Sequence, residues 1–402
     1  MMNSKRIIFH VDVNSAFLSW ESVYRIKHEM ETVDLRTIPS AVGGDKSKRH
    51  GIVLAKSEPA KKYGIKTAET LNDALKKCPQ LVIVPPRHAL YQTYSAAFLK
   101  ILSEYSSNVE QYSIDEAFMD MSNSILLFGS PVVAATLIKD RIYRELGFTV
   151  NIGISTNKLL AKMASDFEKP NLVHPLFPEE IQKKMWPLPV RDLFFVGKAT
   201  TRKLNTLGIF TIGDLAESEP DILVSHLGKL GRLIYEYANG IDATPISRQR
   251  SGYKGYGNST TIDHDVTDSK EAKKILLSLC ETVCSRLRKD SVMIYVISVS
   301  IKDCFLHSGS HQKTLPFPTN SASELHHHVC ALFDEYWDGT PIRLLGVHTS
   351  KVTKEDCHQL NLFDMDSYNR QQNLEKTIDQ IRHKFGEASV IRASFLGKDE
   401  KH

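Results

Sequence analysis

The sequence predicts an α+β protein of several domains, and three observations lead there. Its 402 residues exceed what one core of ordinary size holds, which suggests about two to four domains. Its first half alternates short apolar strands with helical patterns. Its later part spells strand, long helix, two strands, helix and strand, a split βαβ arrangement. Hydrophobic residues make up 42% and charged residues 24%, the balance of a soluble globular chain. No apolar run approaches the roughly 20 residues that a membrane span needs.

Taken in order, "RIIFHVDV" is a short apolar strand that runs into Asp12, and "NSAFLSWESVYRI" repeats apolar residues at helical spacing. The strand reaches a carboxylate without a small-residue cleavage site, so it is not an export signal, and a cytoplasmic protein is expected. Short elements follow: "RTIPSAVGG", "GIVLAKS", a small helix "EPAKKYGI", "TLNDALKKC" and the strand "LVIVPP". The helices "RHALYQTYSAAFLKILSEYS", "PVVAATLIKDRIYRELG" and "TNKLLAKMASDFEKP", with the strand "TVNIGIS", complete an α+β domain expected to carry its helices on one face. Residues 181–245 read as short helices around Gly turns. "FFVGK" is like the turn of a helix-hairpin-helix but keeps only Gly197 of the usual Gly-x-Gly, so a phosphate-binding hairpin and a plain packing turn both fit. A basic linker, "SRQRSGYKG", precedes the split βαβ domain. After it comes a tail whose Leu374, Ile378, Ile381 and Phe385 form one amphipathic stripe, expected to pack back on the protein.

Composition narrows the chemistry further. Cys78, Cys280, Cys284, Cys304, Cys330 and Cys357 lack a paired CxxC motif and read as reduced thiols. Three consecutive histidines, 326 to 328, point different ways around a helix and favour a solvated face over a ligand cluster. A net charge of +4 permits an anionic partner without demanding one, while basic clusters such as "PAKKYGIK" and "SRLRKD" fit a phosphate backbone.

The chemical signal is "QYSIDEAFMDMS". Asp115 and Glu116 are adjacent, between Tyr112 and Ile114 on one side and Phe118 and Met121 on the other. The run reads as two apolar strands meeting at a tight acidic turn, where buried carboxylates need a counter-charge and a divalent cation is the simplest one. With Asp12 at the end of the first strand, three carboxylates at one sheet edge would suit two Mg²⁺ ions about 3.5 to 4 Å apart, the arrangement for in-line phosphoryl transfer.

"FHVDVNSAFLSWE", "GIVLAKSEPAKKYGIKTAE", "YSIDEAFMDMS" and "NIGISTNKLLAKMASDFEKP", in this order, resemble the Y-family, or translesion, DNA polymerases, in the DNA polymerase IV branch. The resemblance implies a right-hand polymerase: palm at 1–17 and 75–180, fingers at 18–74, helical thumb at 181–245, linker at 246–254, little finger at 255–352 and tail at 353–402. It implies Asp12, Asp115 and Glu116 as metal ligands with the Val13 carbonyl as a fourth, and Phe17 as an aromatic steric gate against a 2′ hydroxyl. Lys61 and Lys169 match triphosphate-binding cations, although a lysine at 61 supplies charge without a bidentate fork. Glu58 stands where many relatives have a tyrosine, Ala16 replaces a common aromatic, and Leu54 is bulkier than usual. "QLNLF", with Gln359, Leu360, Leu362 and Phe363, resembles the peptide that bacterial polymerases insert into the sliding clamp. The implied partners are primer-template DNA, deoxynucleoside triphosphates and the clamp, with no membrane and a monomeric chain. Two rivals are a catalytically silent clamp-bound scaffold, which would have lost its carboxylates, and a nucleotide cyclase, for which "VGGDK" offers a superficial match.

Overall fold

The computed structural model describes residues 6–29, 32–44, 51–247, 252–354 and 365–395. The chain divides near residue 250 into two compact units. That division falls inside the segment read as a linker.

The first unit opens with β1 (Ile8–Val13) and α1 (Ala16–His28), then β2 (Ser40–Gly43), β3 (Val53–Lys56), α2 (Glu58–Lys62), α3 (Leu71–Lys77) and β4 (Val82–Val84). It continues through α4 (His88–Tyr105), β5 (Val109–Gln111), β6 (Glu116–Asp120), α5 (Pro131–Leu146), β7 (Val150–Ser155), α6 (Lys158–Ser165) and β8 (Val173–Pro175). Five of these strands form a sheet in the order β5-β6-β1-β7-β8, antiparallel except for the last pair. Strand alternation sends Phe9, Val11 and Val13 into a core with Trp20, Tyr91, Phe98, Ala134 and Ile138 from α1, α4 and α5. Helix α5 begins on Pro131 after Ser130, whose side chain caps Val133 N–H, and stops at Gly147, held at φ 82°.

The other face is not bare, which corrects the expectation of helices on one side. Helix α6 lies across it, and all eight of its residues are buried. Ala161 meets Ile8 and Phe118 of the sheet, while Leu159, Leu160 and Met163 join a core shared with the helices that follow. The close approach depends on Gly153 in β7, because a Cβ there would strike the Ala161 carbonyl and the Ser165 N–H. Helical periodicity alone cannot reveal a helix buried all round, so the sequence could not say that α6 has two partners.

A small sheet, β3-β2-β4, packs α2 and α3 on one side through Ala60, Leu71 and Ala74, and α1 on the other through Leu18. The remaining helices of this unit are α7 (Ile181–Lys184), α8 (Lys198–Thr206), α9 (Ile212–Ala216), α10 (Pro220–Leu227) and α11 (Lys229–Ala238). Their core includes Leu193, Leu204, Ile212, Leu223 and Ile234.

The second unit contains β9 (Gly257–Val266), α12 (Ser269–Lys289), β10 (Met293–Asp303), β11 (Ser308–Thr319), α13 (Ala322–Tyr336), β12 (Ile342–Thr353) and α14 (Met365–Phe385). The sheet order β11-β10-β12-β9 is the split βαβ pattern read from the sequence. Leu276, Cys280, Val283 and Cys284 of α12 and Leu325, Val329 and Phe333 of α13 pack on Ile297, Val299, Leu345 and Val347. Burial pushes the Cys280 and Cys284 thiols up, so both pack as inert small groups. Of the three histidines only His327 is exposed; His326 hydrogen-bonds the Lys273 carbonyl, so the expected solvated face is partial.

The tail helix does pack back, but its apolar stripe is only partly covered: Ile378 and Ile381 are half-buried while its two ends are exposed. Leu374 is 53% and Phe385 67% exposed. Charged contact is made by Glu375 and Asp379, which pair with Arg288 of α12 at 2.6 and 2.7 Å, and by Arg382, which pairs with Glu281 at 3.2 Å. Glu375 also accepts from the Ala322 N–H and the Ser321 hydroxyl at the start of α13, whose own N-cap side chain makes no capping bond. A nearly buried arginine and an uncapped helix start outrank the stripe, because leaving either unpaired costs more than exposing a leucine.

Candidate active site

The register of the five-stranded sheet brings the sequence-distant carboxylates together. Asp12 on β1 lies directly opposite Glu116 on β6, and the Val13 N–H donates to the Asp115 carbonyl at 3.0 Å. Asp12 and Glu116 therefore share a face, and Asp115 sits at the mouth of the hairpin beside the end of β1. The Asp115 carboxylate accepts from the Ser113 hydroxyl at 2.7 Å and has no ion pair among the described residues.

Lysines answer the other two. Lys162 of α6 reaches Glu116 at 2.5 Å, and Lys169 pairs with Asp12 and, at 2.8 Å, with Asp166. Lys158, one turn before Lys162, pairs with Glu110 at 2.7 Å, so α6 lays two cations on the polar sheet face. Burial raises the Asp12 carboxyl to about 6, with the Glu116 charge adding to the rise and Lys169 opposing it. Burial alone would pull both lysines down; the Asp166 and Glu116 charges at Lys162, and Asp12 and Asp166 at Lys169, outweigh it and push them up. Among the described residues no three His, Cys, Asp or Glu side chains are grouped so as to hold a metal ion. The trio's Cα positions converge, while Asp12 and Glu116 are turned to lysines. An acidic cluster still short of positive charge at its most buried member fits a divalent cation.

A cleft of about 260 Å³, open to solvent, lies over this edge and is lined by Asp12, Val13, Asp115 and Lys169 from the sheet side. Ser15, Ala16 and Phe17 line it from the start of α1, and Leu54, Lys56 and Thr67 from around the small sheet. The Phe17 ring stacks on Tyr91 at 4.5 Å between centroids and 13° between planes. Tyr91 is itself fixed, donating its hydroxyl to the buried Glu21 at 2.8 Å, and Glu21 is clasped by Arg87 at 2.6 Å. The gate position thus has a rigid backing.

Of the residues singled out from sequence, Asp12, Val13, Phe17, Asp115 and Lys169 line one cleft, with Glu116 beside them. Lys61 does not line it: it stands exposed on α2, 3.5 Å from Glu58, which neutralises it locally. Lys56 takes the cleft wall, its ammonium pushed down by burial and by Lys61. Sequence reasoning missed Lys56, although it lies two residues beyond Leu54 on β3 and therefore on the same strand face. Lys162 was missed as well; two lysines four apart in the apolar run "KLLAKMAS" demand buried partners. Gln359, Leu360, Leu362 and Phe363 lie outside the described residues.

In the second unit, the sheet face opposite α12 and α13 carries Gln312, Ser298, His348 and Gly257 in one row and Ser310, Ser300, Gly346 and Ser259 in the next. No carboxylate occurs in these rows.

Comparisons agree with this architecture. The impB/mucB/samB family model matches residues 11–166, its C-terminal domain model residues 253–362, and the IMS family HHH motif residues 178–209. DNA polymerase IV of Clostridium acetobutylicum is 46% identical over 396 residues, covering 98% of this chain and 100% of that protein. DNA polymerase IV 2 of Bacillus subtilis is 40% identical over 403 residues, covering 98% and 96%. A solved Y-family DNA polymerase chimera shares the fold with a TM-score of 0.76 at 24% identity, covering 87% of this chain and 100% of its own. Matched end to end by such relatives and by all three models in order, the chain belongs to the Y-family DNA polymerases, in the DNA polymerase IV branch.

Proposed function

We propose that this polymerase adds deoxynucleotides to a primer 3′ end with low fidelity, across damaged templates, by two-metal phosphoryl transfer. The observation that carries the reading is the Asp12–Glu116 register with Asp115 beside it, under a cleft walled by Phe17. Asp12, Asp115, Glu116 and the Val13 carbonyl would hold two Mg²⁺ ions, which when bound lower the pKa of the primer hydroxyl and offset charge developing on the triphosphate.

The chain's own groups do the positioning. Lys169 and Lys56, both on the cleft wall, offer ammonium groups to triphosphate oxygens, with Lys61 a more distant contributor. Lys162 orients Glu116 through their direct hydrogen bond. Phe17, backed by Tyr91, leaves no room for a 2′ hydroxyl. In domain terms, the five-stranded sheet with its helices is the palm at 1–17 and 75–180, β2 and β3 of the small sheet fall in the fingers at 18–74 while β4 falls in 75–180, and α7 to α11 form the thumb at 181–245. After the linker at 246–254, the unit at 255–352 is the little finger. Its hydroxyl-rich sheet face, with Lys302 in the row after Ser300, would hydrogen-bond duplex phosphates without reading bases.

The tail segment 359–363 would dock Leu362 and Phe363 in an apolar pocket of the sliding clamp. Deleting it should abolish clamp stimulation while basal extension persists; equal stimulation of both forms removes the assignment. No helix among the described residues is long and apolar enough to cross a membrane.

The decisive experiment is Mg²⁺-dependent primer extension by Asp115→Ala. Loss of extension by at least about a thousandfold, with primer-template binding within a few fold, is expected for a residue acting on transition-state charge. Retained extension refutes the site.

A further inference from the structure

The row that crosses the sheet through Glu116 and Asp12 has a third member. Asn151 on β7 stands directly opposite Asp12, so strand geometry puts its side chain on the same face as the two carboxylates. It is fully buried, and its amide uses every hydrogen bond it can make. The Nδ2 donates to the Glu168 carbonyl at 2.6 Å and to the Ser165 carbonyl at 3.2 Å, while the Oδ1 accepts from the Leu172 N–H and from the Asn14 Nδ2, each at 3.2 Å. The Asn14 Oδ1 in turn accepts from the Asn171 N–H at 3.0 Å. Ser165 ends α6, where carbonyls lose their helical partners, and the segment 168–171 makes no backbone–backbone hydrogen bond among the described residues. Side chains therefore hold this segment where no ladder does. The Asn151 amide grips it on both sides of Lys169, with His174 Nε2 adding a contact to the Glu168 carbonyl at 3.0 Å. Lys169, between the two grips, pairs with Asp12 and Asp166 and lines the cleft.

We propose that Asn151 is a positioning residue for the incoming nucleotide: it touches no substrate, and holds the segment 165–172 so that the Lys169 ammonium stays on the cleft wall beside Asp12, where a triphosphate oxygen can meet it. The inference rests on the triphosphate role given to Lys169 above. Asparagine suits this place because two carbonyls need donors and two N–H groups need an acceptor from one short side chain. A hydroxyl would donate only once, and a carboxylate would face both carbonyls with no proton to give. Lysine carries its charge on a flexible stem, so the backbone beneath it decides which atoms the ammonium reaches. A shift of that backbone by about 1 Å would weaken an oriented charge contact without removing any charge.

The test is a double-mutant cycle of Asn151→Ala and Lys169→Ala in the full chain, read by steady-state insertion of a single deoxynucleotide. Anisotropy titration of a labelled primer-template duplex and thermal melts accompany it. Asn151→Ala should raise KM for the incoming deoxynucleotide about fivefold to twentyfold, with primer-template affinity within about twofold of wild type. Lys169→Ala should raise KM by at least as much, and adding Asn151→Ala to it should change KM by less than about twofold. Asn151→Ser, which keeps one donor, should fall between wild type and alanine, and carries the same cycle if the alanine variant does not fold. An unaltered KM in folded Asn151→Ala overturns the inference. So does a rise of equal size whether or not Lys169 is present, the mark of a general structural defect, and in both cases the Lys169 reading survives. If Lys169→Ala alone leaves KM unchanged, the triphosphate role of Lys169 fails and takes the inference with it.

Discussion

In the first unit the five-stranded sheet has α4 and α5 on one face and α6 on the other, and carboxylates beneath α6 are paired with lysines. In the second unit α12 and α13 cover one face of the four-stranded sheet, and the opposite face shows rows of serine, glycine, histidine and glutamine. Both sheets are mainly antiparallel, with two long helices packed on one face. They differ in what is done with the other face. Under α6, Glu110, Glu116 and Asp12 are desolvated against Lys158, Lys162 and Lys169, and Asp12 is held at about 6. Desolvated charge is what phosphoryl transfer needs, since ions and protons act more strongly away from water. The serine-bearing rows of the open face carry no carboxylate, and Lys302 stands in the row after them, which suits holding a polyanion without discrimination.

That contrast can be broken at several points. The largest effect after loss of Asp115 is expected at the gate: Phe17→Ala should raise ribonucleotide insertion relative to deoxynucleotide insertion roughly tenfold to hundredfold, read by single-nucleotide extension. Unchanged sugar selectivity would place the gate elsewhere. Next comes the stored electrostatic cost of the cleft. A carboxyl whose folded value is raised from 3.8 to about 6 is disfavoured as an anion, so its penalty is complete above about pH 6 and fades as the pH falls toward 3.8. Asp12→Asn should accordingly stabilise the metal-free protein at pH 7.5 by on the order of 1 to 3 kcal/mol, and the gain should shrink by pH 5. Thermal melts at the two pH values decide it; a gain that grows on acidification has the wrong sign. The smallest effect belongs to the open face. Ser300→Asp should weaken duplex binding by about threefold to tenfold through like-charge repulsion while leaving the melting temperature almost unchanged. A fall in melting temperature without loss of binding would make that face structural.

Much of the candidate site was legible in the sequence because it is written in local patterns: a strand ending on Asp12, an acidic pair between apolar runs, and Phe17 at a fixed offset. The opposition of Asp12 to Glu116 is a register, and register is set by which residues must be buried across two strands, not by either strand alone. Lys162 was hidden for a related reason, since its partner lies 46 positions away in the chain. The two-sided burial of α6 hinges on Gly153, a residue without any side chain to give a signal. The tail shows the reverse failure. A clear apolar stripe at Leu374 and Phe385 was outranked by Arg288, whose need for carboxylates no helical wheel displays.

Cation binding tests the central claim most directly. Titrating Mn²⁺, as a spectroscopic stand-in for Mg²⁺, into the protein bound to primer-template and an incoming deoxynucleotide should give two sites by electron paramagnetic resonance. Asp115→Ala should lose at least one site or weaken it by about tenfold or more. Two sites of undiminished affinity in the variant would contradict the account.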